Sequence, residues 1–493
     1  MKPCVQDEPK NPHDKSMTKT GVARPARLRI LPAAMALACA VWGAPAQAQF
    51  GGLFQNMIQQ QQQQQAAEQK AQLAKPTKKW AQAKPVPPAV LAEAKAFAAK
   101  TKAPDLAPLF ERLYVEGERN ATLNLQRIGL AALANGNIDV AEKALDAAAF
   151  RIDLIYADNP EAQKAKSLWT AEKVKDFKGE PYERVMSYFY RGLAYAARND
   201  FQNARAMFKQ ADYQDTVAEA EQYAGDFALM PYMAGWASYC DGNSGMAKDF
   251  LQQAVKGDKS YADLSVEQPV VVLVETGRAP FKYGGGKFGE LLQWAPHDLP
   301  AQTLKACAAG DVDCAAEKVI LGADVGFQAT TRGGRPIDAV LNGKASFKEG
   351  AQGLSNAATT VGAVGMDVAL MSGNRDAAAI GMIGMLAGAV AQGVSSSTQA
   401  QADIREWEQL PGHIWLGTAG TKKASAATNV TLETGGAAST MPVARLVNTQ
   451  RCQLYWGRTL SPLSMLRDAG PLEAGEHKRD PAFRQEIVGA FGE

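Results

Sequence analysis

The chain reads as a mainly helical α+β protein: an irregular helical-repeat domain, then a strand-containing region that carries a Gly/Ala-rich helical hairpin. Three observations predict this. Apolar residues recur at helical spacing from about 89 to 256, three stretches within that span align on one pattern, and β-branched runs of strand length begin only after residue 268.

Residues 1–48 stand outside the fold. In "RPARLRILPAAMALACAVWGAPAQAQF", Arg24, Arg27 and Arg29 precede an apolar stretch from Ile30 to Trp42, and Ala46-Gln47-Ala48 supplies a small-residue cleavage site. This is the pattern of a secretory signal cut after Ala48, with Met17 an adequate start. Lipidation at Cys39 would need a leucine three places before it. Leu37 is one place out of register, so export to the periplasm as a soluble chain ranks above a lipid anchor. Residues 49–88 hold the glutamine tract Gln59–Gln65 and several prolines, a composition that reads as a disordered leader.

Residues 89–260 carry the repeat. "IGLAALANGNIDVAEKALDAA", "RGLAYAARNDFQNARAMFKQA" and "AGWASYCDGNSGMAKDFLQQA" align on Gly129, Gly192 and Gly235. Three residues on stand Ala132, Tyr195 and Ser238; seven on, Gly136, Asn199 and Gly242; twelve on, Ala141, Ala204 and Ala247. Sixteen on are Leu145, Phe208 and Leu251, and nineteen on Ala148, Ala211 and Ala254. Small residues where helices cross, larger ones where they pack, and Gly or Asn at the turn make a tetratricopeptide-like pattern. The copies are 63 and 43 residues apart, so insertions interrupt an otherwise regular array. In such repeats the first helix of each pair lines the concave face, which here receives Gln126, Arg127, Phe189, Tyr190, Tyr232, Met233, Trp236 and Tyr239. That aromatic groove is a candidate protein-binding surface. A later part of the same chain is the competing occupant, and the favoured one.

Residues 261–353 form a connecting region that opens with the strand run "PVVVLVETG". The glycines of "FKYGGGKFGE" do not make a phosphate loop, because Phe281 stands where the first glycine is needed and Phe288 where a hydroxyl is needed. They read as a hinge after Val270–Val274 that lets "FGELLQW" fold back toward the groove. In "CAAGDVDC", Cys307 and Cys314 are spaced for a local disulfide in an oxidising compartment. Whether Cys240 and Cys452 pair is left open.

Residues 354–400 contain two Gly/Ala-rich apolar segments joined by "GNRD". A buried helical hairpin is the first expectation. Insertion of residues 354–394 into a membrane is the second, since Gly384 and Gly388 have the spacing of close-packed membrane helices. In residues 401–493, "HIWLGTA", "TNVTLET", "PVARLVNTQ" and "RCQLYWGRT" read as four strands of a small antiparallel sheet, with weak helix from Leu466.

Without residues 1–48 the chain has 46 Lys/Arg against 48 Asp/Glu, a balance that gives no electrostatic footprint for nucleic acid. Histidines are few, and the nucleophile-elbow, zincin and EF-hand motifs are absent. No catalytic residue, metal or cofactor is assigned. The competing enzyme reading places an unrecognised site where His297, Arg278 and Lys287 could meet.

The segments "GEPYERVMSYFYRGLAYAARNDFQNARAMFKQA", "VVVLVETGRAP", "GGRPIDAVLNG" and "QADIREWEQLPGHIWLG" resemble a family of bacterial envelope proteins, often lipoproteins, with degenerate tetratricopeptide repeats. The resemblance spans Gly179 to Gly417. It implies an envelope scaffold or assembly role with protein partners, among them outer-membrane lipoproteins of the curli-secretion type, and it carries over no functional residue. An exported scaffold binding proteins through its repeats is therefore the leading expectation, with a membrane-inserting protein or an envelope enzyme as alternatives.

Overall fold

The computed structural model describes residues 78–80, 83–156, 176–216, 225–267, 269–285, 289, 291–297, 302–306, 318–330, 402–419, 428–434, 436–475 and 477–492. The expected signal peptide (residues 1–48) and its Cys39, Cys307, Cys314, Lys287 and the helical hairpin expected at residues 354–394 lie outside the described residues.

The helical part is a series of antiparallel hairpins. A leading pair, α1 (Pro88–Ala98) and α2 (Ala107–Glu116), is followed by α3 (Ala121–Ala134) with α4 (Ile138–Tyr156), α5 (Pro181–Ala197) with α6 (Phe201–Thr216), and α7 (Leu229–Cys240) with α8 (Ser244–Gly257). The last three pairs are the aligned copies, and the aligned positions have the same physical role in each. Gly136, Asn199 and Gly242 all have positive φ, and Asn199 is the one non-glycine among the described residues that does. One residue later Asn137, Asp200 and Asn243 donate their backbone N–H to Ala132, Tyr195 and Ser238, at 2.8, 3.0 and 2.8 Å. Their side chains then cap the next helix, accepting from the N–H of Val140, Asn203 and Met246. The aligned glycines allow close crossing: a Cβ on Gly129 would lie 2.5 Å from Leu145, and one on Gly192 would lie 2.5 Å from Phe208.

Nine strands follow among the described residues. β1 (Val270–Thr276), β4 (Gln302–Ala306), β5 (Lys318–Asp324), β6 (His413–Ala419), β7 (Thr428–Thr434), β8 (Ala437–Asn448) and β9 (Gln453–Arg458) form one sheet in the order β4-β7-β8-β9-β1-β6-β5. β2 (Phe281–Gly285) and β3 (Leu291–Ala295) make a separate hairpin. The sheet is a half-barrel, its edge strands β4 and β5 coming within 8 Å of one another, and long β8 carries the curl through a bulge at Arg445/Val447. A short helix α9 (Val325–Thr330) and a terminal helix α10 (Asp480–Phe491) complete the described elements.

The four tail strands form where their alternation places them, but not as an antiparallel sheet of their own. β1 sits between β6 and β9 and pairs parallel with β9, so the connecting region and the tail share one mixed sheet. The reason is burial: all seven residues of β1 are buried, which requires a neighbour on each side and a cover on each face. The glycine hinge is likewise a β-hairpin, its strands pairing from Phe281–Ala295 to Gly285–Leu291. The leader is ordered at its end, where Lys78 pairs with Glu406 and Trp80 packs so tightly on Gly470 that a Cβ there would lie 2.7 Å from the indole.

Three layers result. The inner helices α3, α5 and α7 are buried over nearly their whole length, between the outer helices α4, α6 and α8 and the later half of the chain. Val271, Leu273, Ile414, Leu416, Leu454 and Trp456 join the helical core, whereas Val270, Val272 and Val274 meet Leu304, Val430 and Leu432 inside the half-barrel.

Candidate functional site

The concave face of the repeats is full. Gln126, Arg127, Phe189, Tyr190, Tyr232, Met233 and Trp236 are at most 2% exposed, and Tyr239 is half-buried beneath the Arg451 guanidinium. The expectation of an open protein-binding groove along these residues is corrected. The segment from Ala402 to Leu410 covers Arg127 and Tyr190, with Trp456 of the sheet beside Tyr190, while in the third copy Tyr232 packs on Tyr261 and donates to Ser265 O. The "DIREWEQ" stretch of the covering segment alternates large apolar and ionised side chains, so it can present Trp407 to the aromatics and carboxylates to buried cations at once.

Arg127 holds Glu408 through a forked contact, with Nη2–Oε2 2.7 Å and Nε 3.1 Å from both oxygens, each side chain 2% exposed. Its remaining amino group donates to Asn124 Oδ1 at 2.8 Å. Glu183 occupies the third position of α5 and accepts from Glu180 N–H in a capping box. The same carboxylate accepts from Trp407 N–H at 2.8 Å and from Lys282 Nζ at 2.6 Å. One glutamate thus ties the second repeat, the inserted segment and β2 together. Trp407 stands edge-on to Tyr190, ring centroids 5.6 Å apart.

β1 alternation turns Glu275 toward the helices, where Tyr190 Oη donates to it at 3.0 Å and Trp456 Nε1 at 2.9 Å. Its register partner on β9, Arg458, lies 3.2 Å away. Burial raises the Glu275 pKa above the ordinary carboxylate value, and Arg458, Trp456 and Tyr190 pull it only partway back. Nearby, Arg405 forks onto Asp403 at 2.8 and 2.6 Å. Burial opposes the charge on Asp403, but Arg405 outweighs it and holds the carboxyl below its usual range.

At the mouth of the groove lies a cavity of about 270 Å³ walled by Trp80, Tyr182, Phe281 and Trp407, with Lys78, Glu406, Arg278, Asp468 and His297 among its polar groups. Lys78 donates to Glu406 and sits 4.2 Å from the centre of the Trp80 ring. Burial lowers the Lys78 pKa and raises that of Glu406, each against the pull of the other. Burial, then the charges of Glu183 and Glu406, also raise the Tyr182 hydroxyl well above its ordinary value. The Phe281 and His297 rings lie 5.4 Å apart, tilted by 54°. Of the three residues suggested for a meeting point, His297 and Arg278 share this cavity.

Lys78, Glu183, Glu275 and Lys282 escape a sequence reading of the site, and Glu406 and Glu408, which read from sequence as a solvated pair flanking Trp407, are buried. The signals that could have found them are the capping-box spacing of Glu180 and Glu183, and a glutamate ending a wholly apolar strand. A disulfide not assigned from sequence joins Cys240 to Cys452, 212 residues apart. Among the described residues, no group of three or more His, Cys, Asp or Glu is placed to hold a metal ion. No protein family, curated protein or solved structure matches this chain.

Proposed function

We propose that the chain is an exported scaffold or assembly protein of the cell envelope, and that it binds other proteins through the outer face of its helical repeats. One observation carries the reading. The concave face is consumed in clamping the chain's own half-barrel, while the outer helices expose Phe150 by 63% and Tyr213 by 54%. Both stand 21 residues after their repeat glycine, so successive outer helices present an aromatic at the same height. Exposed aromatics of this kind are the usual anchors of protein interfaces. The secretory signal and the Cys240–Cys452 disulfide are in keeping with an oxidising envelope compartment.

The test is copurification after in-cell crosslinking, comparing wild type with Phe150→Asp plus Tyr213→Asp. Both positions are exposed, so the double variant should melt like the parent while losing specific envelope partners. An unchanged partner list from an equally stable variant rejects the outer face. The membrane-inserting alternative rests on residues 354–394, and no helix among the described residues is long and apolar enough to cross a membrane. Carbonate extraction decides that alternative: retention of the chain in the membrane pellet would favour it.

A further inference from the structure

We infer that the cavity at the groove mouth is a binding site for a small carboxylate with a flat, apolar body, held by Arg278 against the aromatic walls. The inference is independent of the proposed scaffold role, because the cavity lies by the inner helices and the inserted segment, not on the outer helices.

The polar accounting of the cavity selects the charge of the ligand. Glu406 accepts from Lys78 on one oxygen and from Lys282 N–H on the other at 2.6 Å, and Glu408 has both oxygens on Arg127. Every oxygen of these two carboxylates already has a donor, and each group has a cationic side chain of the protein as its partner. Lys78 is equally committed, to Glu406, to Asp468 O at 3.3 Å and to the Trp80 ring. Arg278 is different. One amino group pairs with Asp468, while Nε and the other amino group have no acceptor among the described residues. Arg467 stands at the rim, 75% exposed, with Nε 3.8 Å from the second Asp468 oxygen. Two guanidiniums thus share one carboxylate, and the surplus is a single positive charge with planar donors, which suits a carboxylate's two coplanar oxygens.

The walls select the body. Trp80, Tyr182, Phe281 and Trp407 offer ring surface on several sides of a space at the small end of ligand cavities, room for one or two fused or linked rings. Trp80 belongs to the ordered end of the leader, so that segment closes one side of the site.

Isothermal titration of the full mature chain with benzoate, phenylacetate and 3-phenylpropionate tests the assignment, with 2-phenylethanol and phenethylamine as neutral and cationic counterparts. At least one carboxylate should saturate a single site in the millimolar range or tighter, with the alcohol and amine at least tenfold weaker. Arg278→Gln should weaken the carboxylate at least tenfold while leaving the alcohol unchanged. Arg278→Lys keeps the charge but not the fork and should fall between. The assignment is overturned by saturation with none of the three acids, by an alcohol or amine binding as tightly, or by wild-type carboxylate affinity in both variants.

Discussion

The guanidinium of Arg127, on the inner helix of the first repeat, grips the carboxylate of Glu408 from 281 residues away, with both side chains 2% exposed. This pair fixes the inserted segment in the groove. Removing one partner leaves a buried charge uncompensated, so Arg127→Met or Glu408→Met alone should cost about 3–5 kcal/mol. The double variant replaces the pair by apolar chains and should cost less than the sum. Urea denaturation of all four proteins measures the coupling, and strict additivity would remove the pair as the anchor.

The Cys240–Cys452 bridge closes a loop of 212 residues between the last inner helix and the last strand. Cross-linking so long a loop restricts the unfolded chain strongly, and Cys240→Ser plus Cys452→Ser should cost about 2–5 kcal/mol. Reductant should lower the melting temperature of wild type toward that of the variant and leave the variant unmoved.

Gln126 is fully buried, and neither amide atom finds a hydrogen-bond partner among the described residues. A buried amide without partners costs about 1–3 kcal/mol. Gln126→Leu, close in volume, should therefore stabilise the protein. A loss of stability would mean that the amide has a partner in solution.

Glu275 makes stability depend on pH with a definite sign. Its folded pKa is raised, so between the ordinary carboxylate value and the folded value the native state binds more protons than the unfolded chain. That contribution is largest at low pH and is lost as pH rises through this window. Glu275→Gln should flatten the decline, as read from urea midpoints between about pH 4 and pH 8. Parallel profiles for variant and wild type would contradict it.

Much of the fold was legible locally. A positive φ at Gly136, Asn199 and Gly242, caps at Asn137, Asp200 and Asn243, and close crossing at Gly129 and Gly192 are short-range demands, and each leaves a residue type at a set spacing. The four tail strands announced themselves by alternation in the same way. The candidate site was legible only in fragments: the aromatic lining of the inner helices could be counted from the repeats, and His297 and Arg278 could be put forward as a pair. Glu183 reads locally as a capping residue, and nothing nearby foretells that Lys282 and Trp407 will share its carboxylate.

The helical hairpins, their turns, the strand segments and the α+β class follow from short stretches of sequence, because these depend on backbone preferences and on which face of an element is apolar. Long-range packing, by contrast, joins β1 to the tail strands in one sheet, lays Ala402–Leu410 over Arg127 and Tyr190, and opens an aromatic cavity with an under-neutralised Arg278 beside them. Those outcomes rest on contacts between residues hundreds of positions apart. Burial sets their energies, and burial has no fixed spacing along the chain.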